Sequence, residues 1–187
     1  MKIQANNIRP GIVIEYENRQ WSVIKIQTTQ PGKGGAYIQV EMKDLKTGNK
    51  TNARWRTQES VEKLITTEKN YQFLFSEDET YTFMDPDNYE QITLNESLIG
   101  EKKIYLKDGI IVSVNSVNDL PIGITLPPNL SLEVIQTEPV VKGQTAASSN
   151  KPAILDNGIR IMVPPFIDQG NKIIVNTSDN TYVKRAD

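Results

Sequence analysis

The feature that most constrains the fold of this 187-residue chain is a series of short segments in which apolar and polar residues alternate. In the segment 38–43, the apolar residues Ile38, Val40 and Met42 are each followed by a polar residue. A period of two is typical of a β-strand with one buried face, because successive side chains point to opposite sides. Tyr71, Phe73 and Phe75 alternate in the same way with Gln72 and Leu74, and are expected to share one buried face. Further segments rich in strand-forming residues are 21–26, 81–83, 110–114, 130–135, 159–163 and 172–175. The pattern predicts an all-β protein.

Turn residues separate these segments. Asp156-Asn157-Gly158 lies between two apolar runs and predicts a tight hairpin, because Asn-Gly tolerates the positive φ angles of a type I′ turn. Helical signal is scarce: 95–100 is predicted to form one short helix that begins after Asn95. Short strands at this spacing predict small barrels or sandwiches.

Two boundaries divide the chain into three parts. One lies near 64–67, where the charge balance changes sign, and the other at 126–129, where two prolines interrupt a strand. The parts 1–64, 65–128 and 129–187 carry net charges of +5, −7 and 0. A basic first part is expected to bind a polyanion. Segment 141–150, small and polar, is predicted to be a mobile loop within the last domain.

Composition argues against catalysis. The chain has no cysteine and no histidine, which excludes disulfides and thiolate nucleophiles and removes the usual general base and the commonest metal ligand. We expect no enzymatic activity, no metal site and no cofactor. No apolar run approaches the roughly 20 residues that span a bilayer, and the first residues lack a signal-peptide pattern. The chain is therefore expected in the cytoplasm, without a membrane partner.

The loop Pro31-Gly32-Lys33-Gly34-Gly35 is the segment most suggestive of function. Its three glycines give the backbone conformational freedom, and Lys33 supplies the one long side chain at its tip. Flanking strand patterns predict a protruding hairpin that could enter a narrow crevice. An ordinary turn with a solvated lysine is the alternative. A phosphate-binding P-loop fits poorly, because Gly34 stands where Ser or Thr is required and a strand follows instead of a helix.

Two other segments combine basic and aromatic residues. Alternation predicts that Trp55 lies in the core while Arg54 and Arg56 face solvent, where they are candidate contacts to an RNA backbone. Tyr182 and Arg185, in the basic and aromatic C-terminal segment, are candidate RNA contacts as well, although a frayed last strand is the simpler interpretation.

Several motifs together resemble one family. They are Asn7-Ile8-Arg9-Pro10-Gly11, Pro31-Gly32-Lys33-Gly34 with Lys43-Asp44-Leu45, Lys151-Pro152-Ala153, Val163-Pro164-Pro165-Phe166-Ile167, and Tyr182-Val183 with Arg185. In this order and at these separations, the chain resembles bacterial elongation factor P over essentially its full length.

The resemblance implies three small β-barrel domains in an L-shaped, tRNA-like arrangement. These are an SH3-like (KOW-like) domain at 1–64, an OB-fold at 65–128 and a C-terminal OB-fold at 129–187. It also implies a monomer that binds the 70S ribosome between the peptidyl and exit sites. In this family a modifying enzyme commonly adds a β-lysyl group to the lysine, which is Lys33 in this chain. The resemblance implies that Lys33 reaches the CCA end of peptidyl-tRNA on the ribosome, and that the factor thereby relieves stalling at consecutive prolines.

One motif departs from the family. Where the family often has Gly-Asp-Thr near the tip of the third domain, this chain has Gly143-Gln144-Thr145. The resemblance makes these three residues candidate contacts to RNA in the codon region of the exit site. Three functions remain open at this point: the translation factor or an elongation factor P-like paralogue, a general OB-fold binder of single-stranded nucleic acid, and a carboxylate-only hydrolase or carbohydrate-binding module. The low aromatic content of 7% disfavours the second, and the third lacks a convincing acid pair.

Overall fold

The structure is a computed structural model that describes residues 1–139 and 149–186. Within these ranges it has sixteen β-strands in three sheets, one short α-helix and two 3-10 turns. The predicted all-β fold class is confirmed. The candidate residues Gly143, Gln144 and Thr145, and most of the loop predicted at 141–150, lie outside the described residues.

The first sheet holds the lysine loop. Its strands are β1 (Lys2–Gln4), β2 (Val13–Tyr16), β3 (Arg19–Thr29), β4 (Tyr37–Asp44), β5 (Lys50–Arg56) and β6 (Ser60–Leu64). Their order across the sheet is β1-β6-β2-β3-β4-β5. Strands β3 and β4 are antiparallel, and their register runs from Trp21 opposite Asp44 to Thr29 opposite Tyr37. This long hairpin carries the loop at one end and the turn after Asp44 at the other.

The second sheet contains β7 (Thr66–Glu77), β8 (Thr80–Met84), β9 (Gln91–Asn95), β10 (Ile111–Val117) and β11 (Leu120–Thr125), in the order β11-β10-β7-β8-β9. Between β9 and β10 lies the helix α1 (Glu96–Ile99). The side chain of Asn95 accepts a hydrogen bond from the Ser97 backbone N–H at 3.0 Å, which confirms the predicted cap. The 3-10 turn Gly100–Tyr105 that continues the helix was not predicted.

The third sheet contains β12 (Asn129–Thr137), β13 (Lys151–Leu155), β14 (Arg160–Val163), β15 (Lys172–Asn176) and β16 (Thr181–Arg185), in the order β14-β13-β12-β15-β16. The predicted hairpin joins β13 and β14, which pair antiparallel. The turn is not the predicted type I′, which needs a positive φ at both central residues: Gly158 has φ +84°, but φ of Asn157 is not positive. The Gly158 N–H donates to the Leu155 carbonyl at 2.8 Å, so the turn closes one residue earlier and Gly158 follows it in the left-handed conformation.

One strand departs from the predicted alternation. Tyr71, Phe73 and Phe75 were expected to share a buried face of β7, yet the side chain of Phe75 is 51% exposed whereas Phe73 is buried. The register of β7 against β8 shifts between Phe73 and Phe75. An irregularity of this kind reverses the facing of the residues beyond it, which explains why a strict period of two failed there.

The chain divides into two compact units, one of residues 1–68 with 115–122 and one of 69–114 with 123–187. Each has its own apolar core. The core of the first unit is formed by Ala5, Ile8, Ile14, Trp21, Val23, Ile38, Val40, Met42, Ala53 and Val61. The core of the second unit joins side chains from the second and third sheets, such as Phe83, Val112, Leu132, Leu155 and Val175. The domain boundaries at 64/65 and 128/129 stay a prediction.

Two buried carboxylates organise turns. Asp44 accepts the backbone N–H groups of Lys46 at 2.7 Å and Thr47 at 3.0 Å, and Arg19 lies 3.3 Å away. The hydrogen bond from the Thr47 N–H is the largest cause that lowers the pKa of Asp44 below its ordinary value. The Lys46 N–H and Arg19 lower it further, whereas burial opposes them. The second carboxylate, Asp85, accepts the backbone N–H of Asp87 at 2.9 Å and forms an ion pair with Lys69. The hydrogen bond from Lys69 is the main cause that lowers the pKa of Asp85.

Candidate functional site

The lysine loop begins and ends on the β3–β4 hairpin. Strand β3 ends at Thr29 and β4 begins at Tyr37, and these two residues are the last paired positions. The five predicted loop residues, Pro31 to Gly35, are all exposed. Lys33 therefore stands at the middle of a short connection whose two ends are fixed by the ladder, as the sequence predicted.

The backbone of the loop depends on Gly34. Its φ is +116°, a conformation that residues with a Cβ atom rarely adopt. A Cβ built there would lie 3.9 Å from Cγ of Pro31, an ordinary contact, so the conformation and not crowding is what requires glycine. Gly32 and Gly35 have no heavy atom within 4 Å of an added Cβ, so open space surrounds both.

The loop is also tied to the segment that follows β5. The carbonyl of Ala36 accepts a hydrogen bond from the Thr57 backbone N–H at 3.1 Å. In the same segment, Oε2 of Glu59 accepts a hydrogen bond from the backbone N–H of Arg56, the last residue of β5, at 2.9 Å. The first of these bonds holds Ala36, which follows the loop, beside the end of β5.

Strand β5 presents two arginines beside the loop. The register places Gln39 opposite Arg54 and Tyr37 opposite Arg56, and both arginines are exposed. The Arg54 guanidinium carbon lies 3.5 Å from the centroid of the Tyr37 ring, which is a cation–π contact.

Trp55 points the other way. It is partly buried against the core of the first unit, and its ring meets Tyr16 edge-on at a centroid distance of 5.2 Å. The predicted arrangement of Trp55 facing inward with Arg54 and Arg56 facing solvent is thereby seen in the structure.

These groups line one open concave surface of about 450 Å³, which we call the loop pocket; its lining residues are Pro31, Lys33, Gly34, Gly35, Tyr37, Arg54, Trp55, Arg56 and Glu59. Three cationic side chains and a single carboxylate give it a positive balance. A concave, solvent-open and cationic surface suits an anionic partner such as a phosphate backbone. Sequence reasoning missed Glu59 and Tyr37. The bond from the Arg56 backbone to Glu59 and the contact of Tyr37 with Arg54 leave no local pattern in the sequence.

The remaining candidates lie in the second unit. Arg185 is exposed near the end of β16. Tyr182 is partly buried and packs against the core, so its ring serves the packing of the strand. Among the described residues there is no cluster of three or more His, Cys, Asp or Glu side chains that could hold a metal ion. Across the same residues, no helix has the length and apolar character needed to cross a membrane.

Three family models match consecutive parts of the chain. The elongation factor P KOW-like domain matches residues 4–61, the elongation factor P OB domain matches 66–124, and the elongation factor P C-terminal domain matches 130–185. The chain belongs to the elongation factor P family. Members of this family are translation elongation factors, and the chain has the family's three domains.

Curated relatives agree over the full length. Elongation factor P of Gluconacetobacter diazotrophicus is 53% identical over 186 residues, covering 100% of this chain and 99% of the relative. Elongation factor P of Gluconobacter oxydans is 52% identical with the same coverage. A solved structure of eukaryotic translation initiation factor 5A from Methanococcus jannaschii has a TM-score of 0.54 at 20% identity, covering 67% of this chain and 92% of that one. That likeness is one of fold alone.

Proposed function

We propose that this elongation factor acts without covalent catalysis, by inserting the Lys33 loop beside peptidyl-tRNA on the 70S ribosome between the peptidyl and exit sites. The observation that carries the proposal is the exposed Lys33 at the middle of a glycine-rich loop whose ends are fixed on the β3–β4 hairpin. A slender cationic projection on a rigid base can reach into an RNA crevice that excludes bulkier elements.

The expected effect is one of positioning. Proline is a sterically awkward partner in peptide transfer, so ribosomes slow at consecutive prolines. A group that orders the CCA end of the tRNA reduces the entropic cost of aligning the reactants and adds no new chemical group to the reaction. The ribosomal RNA remains the catalyst, which is compatible with a chain that has neither histidine nor cysteine.

Lys33 is also the proposed site of modification. A β-lysyl group attached by a lysine-modifying enzyme would lengthen the stem and place its ammonium group further from the loop. The exposure of all five loop residues supports this, because a modifying enzyme needs access to the lysine side chain. We propose that the protein works as a cytoplasmic monomer.

The arginines of β5 are the proposed backbone contacts. Arg54 and Arg56 are exposed beside the loop, where they can meet phosphates of the RNA that surrounds the inserted lysine. Arg185 and the loop at Gly143, Gln144 and Thr145 stay proposed contacts elsewhere on the ribosome, whereas the partly buried ring of Tyr182 makes it a weaker candidate.

The test is a reconstituted translation reaction with protein purified from its own host. The time course of a peptide containing three consecutive prolines is measured with and without the factor, beside a proline-free peptide. We expect acceleration of the proline peptide alone, together with a mass increase on the Lys33 peptide. Equal acceleration of both peptides, or of neither when Lys33 carries its modification, would contradict the proposal.

A second assay separates a general nucleic-acid binder from a ribosomal factor. Binding to free single-stranded oligonucleotides is measured over a range of salt, since a general binder depends strongly on ionic strength. We expect much tighter binding to ribosomes that hold peptidyl-tRNA than to the oligonucleotides. Comparable affinity for both would favour the general binder.

A further inference from the structure

We propose that Tyr37 and Arg54 are positioning residues that fix the direction of the Lys33 loop. What the loop then does rests on the proposed function, but the contact itself is a feature of the first unit. Arg54 would thus contribute through the loop, besides any phosphate that it meets.

The loop needs such a device because its own backbone cannot hold a direction. Three of its five residues are glycines, which have the widest range of φ and ψ angles and no side chains to pack. The orientation of Lys33 must therefore be set at the two ends of the loop. At the entry, the ring of Pro31 restricts φ and lies next to Gly34.

At the exit, Tyr37 provides the fixed point. It is the first residue of β4, separated from the loop by Ala36 alone, and the centroid of its ring lies 3.5 Å from the guanidinium carbon of Arg54. Arg54 sits inside β5, opposite Gln39 and two residues before the end of the strand. The contact therefore joins the end of the loop to the interior of a neighbouring strand, diagonally across the ladder.

A second link acts on the same end. The hydrogen bond from Thr57 N–H to the Ala36 carbonyl, at 3.1 Å, holds the residue just before Tyr37. If the Tyr37–Arg54 contact is lost, this bond at the end of the hairpin should open more often. The exchange of the Thr57 amide proton therefore reports on the contact without any translation assay.

The chemistry of arginine lets the two roles of Arg54 be separated. A guanidinium stacks through its flat face, and its N–H groups stay directed outward in the plane, free to meet a phosphate. Tyr37→Leu removes the stacking partner and leaves the charge of Arg54 intact. Arg54→Lys keeps a charge for phosphate but loses the flat face, and Tyr37→Phe keeps the ring.

The first experiment measures hydrogen exchange at the Thr57 amide in the full chain. From the usual strength of a cation–π contact at an exposed site, we expect exchange about two- to fivefold faster in Tyr37→Leu and in Arg54→Met. The double variant should be no faster than either single one, because both changes break the same contact. Tyr37→Phe should match the wild type, as should Lys50→Met, which removes a cation from the other end of β5. Unchanged exchange in both single variants, or fully additive effects in the double variant, would overturn the proposal.

The second experiment follows synthesis of the triple-proline peptide over a range of factor concentrations. A misdirected loop should lower the maximal rate about two- to fivefold in Tyr37→Leu, while the half-saturating concentration changes little. Tyr37→Phe should restore the rate. If Tyr37→Leu behaves as the wild type and Arg54→Met raises only the half-saturating concentration, Arg54 is an RNA contact and the positioning role is wrong. If the wild type gives no acceleration, the proposed function fails, and the exchange measurement alone decides on the contact.

Discussion

Lys33 lies in a loop that is almost free of other side chains. Between Pro31 and Tyr37 the neighbours of the lysine are three glycines and Ala36, so nothing in the loop shields or neutralises its ammonium group. The lysine is thus available both to a modifying enzyme and to RNA. This arrangement predicts a side chain that matters for activity and hardly for folding.

Lys33→Ala should accordingly keep the melting temperature of the wild type and lose acceleration of the triple-proline peptide. We expect a loss of about tenfold or more, equivalent to about 1.4 kcal/mol of transition-state stabilisation. Lys46→Ala is the matched control, since it removes an exposed lysine near the opposite end of the same hairpin. An Lys33→Ala protein that remains fully active would exclude the lysine from the mechanism.

Gly34→Val tests the backbone of the loop. At φ +116° a β-branched residue is strained by about 1–3 kcal/mol, so the loop should adopt another conformation and misdirect Lys33. We expect a several-fold loss of acceleration, measured in the same assay. Gly35→Val adds the same bulk in open space at a residue without a positive φ, and should lose less. Equal losses in the two variants would show that bulk, and not conformation, limits the tip.

The sequence predicted most of the site at this scale. The glycines marked the loop, and the alternation around Trp55 indicated which way Arg54 and Arg56 face. The Tyr37–Arg54 contact could not be predicted, because it depends on which strand lies beside β4 and on a diagonal register. Neither of these leaves a local pattern in the sequence.

At the scale of elements, the turn after β4 is held by a carboxylate. The buried side chain of Asp44 accepts two backbone N–H groups of the turn and lies near Arg19, and its pKa is below the ordinary value of 3.8. A carboxyl whose pKa is lowered in the folded state stabilises that state above the unfolded pKa. This stabilisation is lost as the pH falls through the folded value.

Asp44→Asn should therefore lower the urea midpoint of unfolding at pH 7, where the wild type is ionised. The difference between the two proteins should begin to shrink below about pH 3.8, where the carboxyl of the unfolded wild type takes up a proton. It should disappear only once the pH has fallen below the lower pKa of the folded state, where the folded carboxyl is protonated as well. Urea denaturation at both pH values, followed by tryptophan fluorescence, measures the difference. A gap of the same size at both pH values would mean that the charge of Asp44 does not stabilise the fold.

Elements with strong local signals were the predictable ones. The Asn157-Gly158 hairpin and the cap of Asn95 follow from turn and helix-end chemistry, which acts over a few residues. The exposed Phe75 was missed because the register shift in β7 depends on its pairing with β8. The 3-10 turn at Gly100–Tyr105 was missed because its apolar residues pack against other elements and show no clear period.

On the scale of the whole molecule, three sheets form two cores. The second and third sheets share one core, although the sequence suggested a boundary between them at two prolines. Sequence patterns identify which residues are buried, but they do not indicate which buried faces meet. The family's three domains therefore correspond to two compact units in this chain.

The separate cores predict separate responses to core mutations. The chain's two tryptophans, Trp21 and Trp55, both belong to the first unit, so their fluorescence reports on that unit alone. Leu155 is fully buried in the second core, and Leu155→Ala should cost that core about 2–5 kcal/mol. We expect the melting transition of the second unit, followed by circular dichroism, to move down by roughly 8 °C or more while the tryptophan transition stays in place.

Ile14→Ala provides the reciprocal variant, since Ile14 is fully buried in the first core. It should shift the tryptophan transition and leave the other one unchanged. If either variant moves both transitions by the same amount, the units unfold as one cooperative body, and the stability of the Lys33 loop's base would depend on residues of the second unit. If the shifts stay separate, the hairpin that carries the loop is stabilised by the first unit's own core.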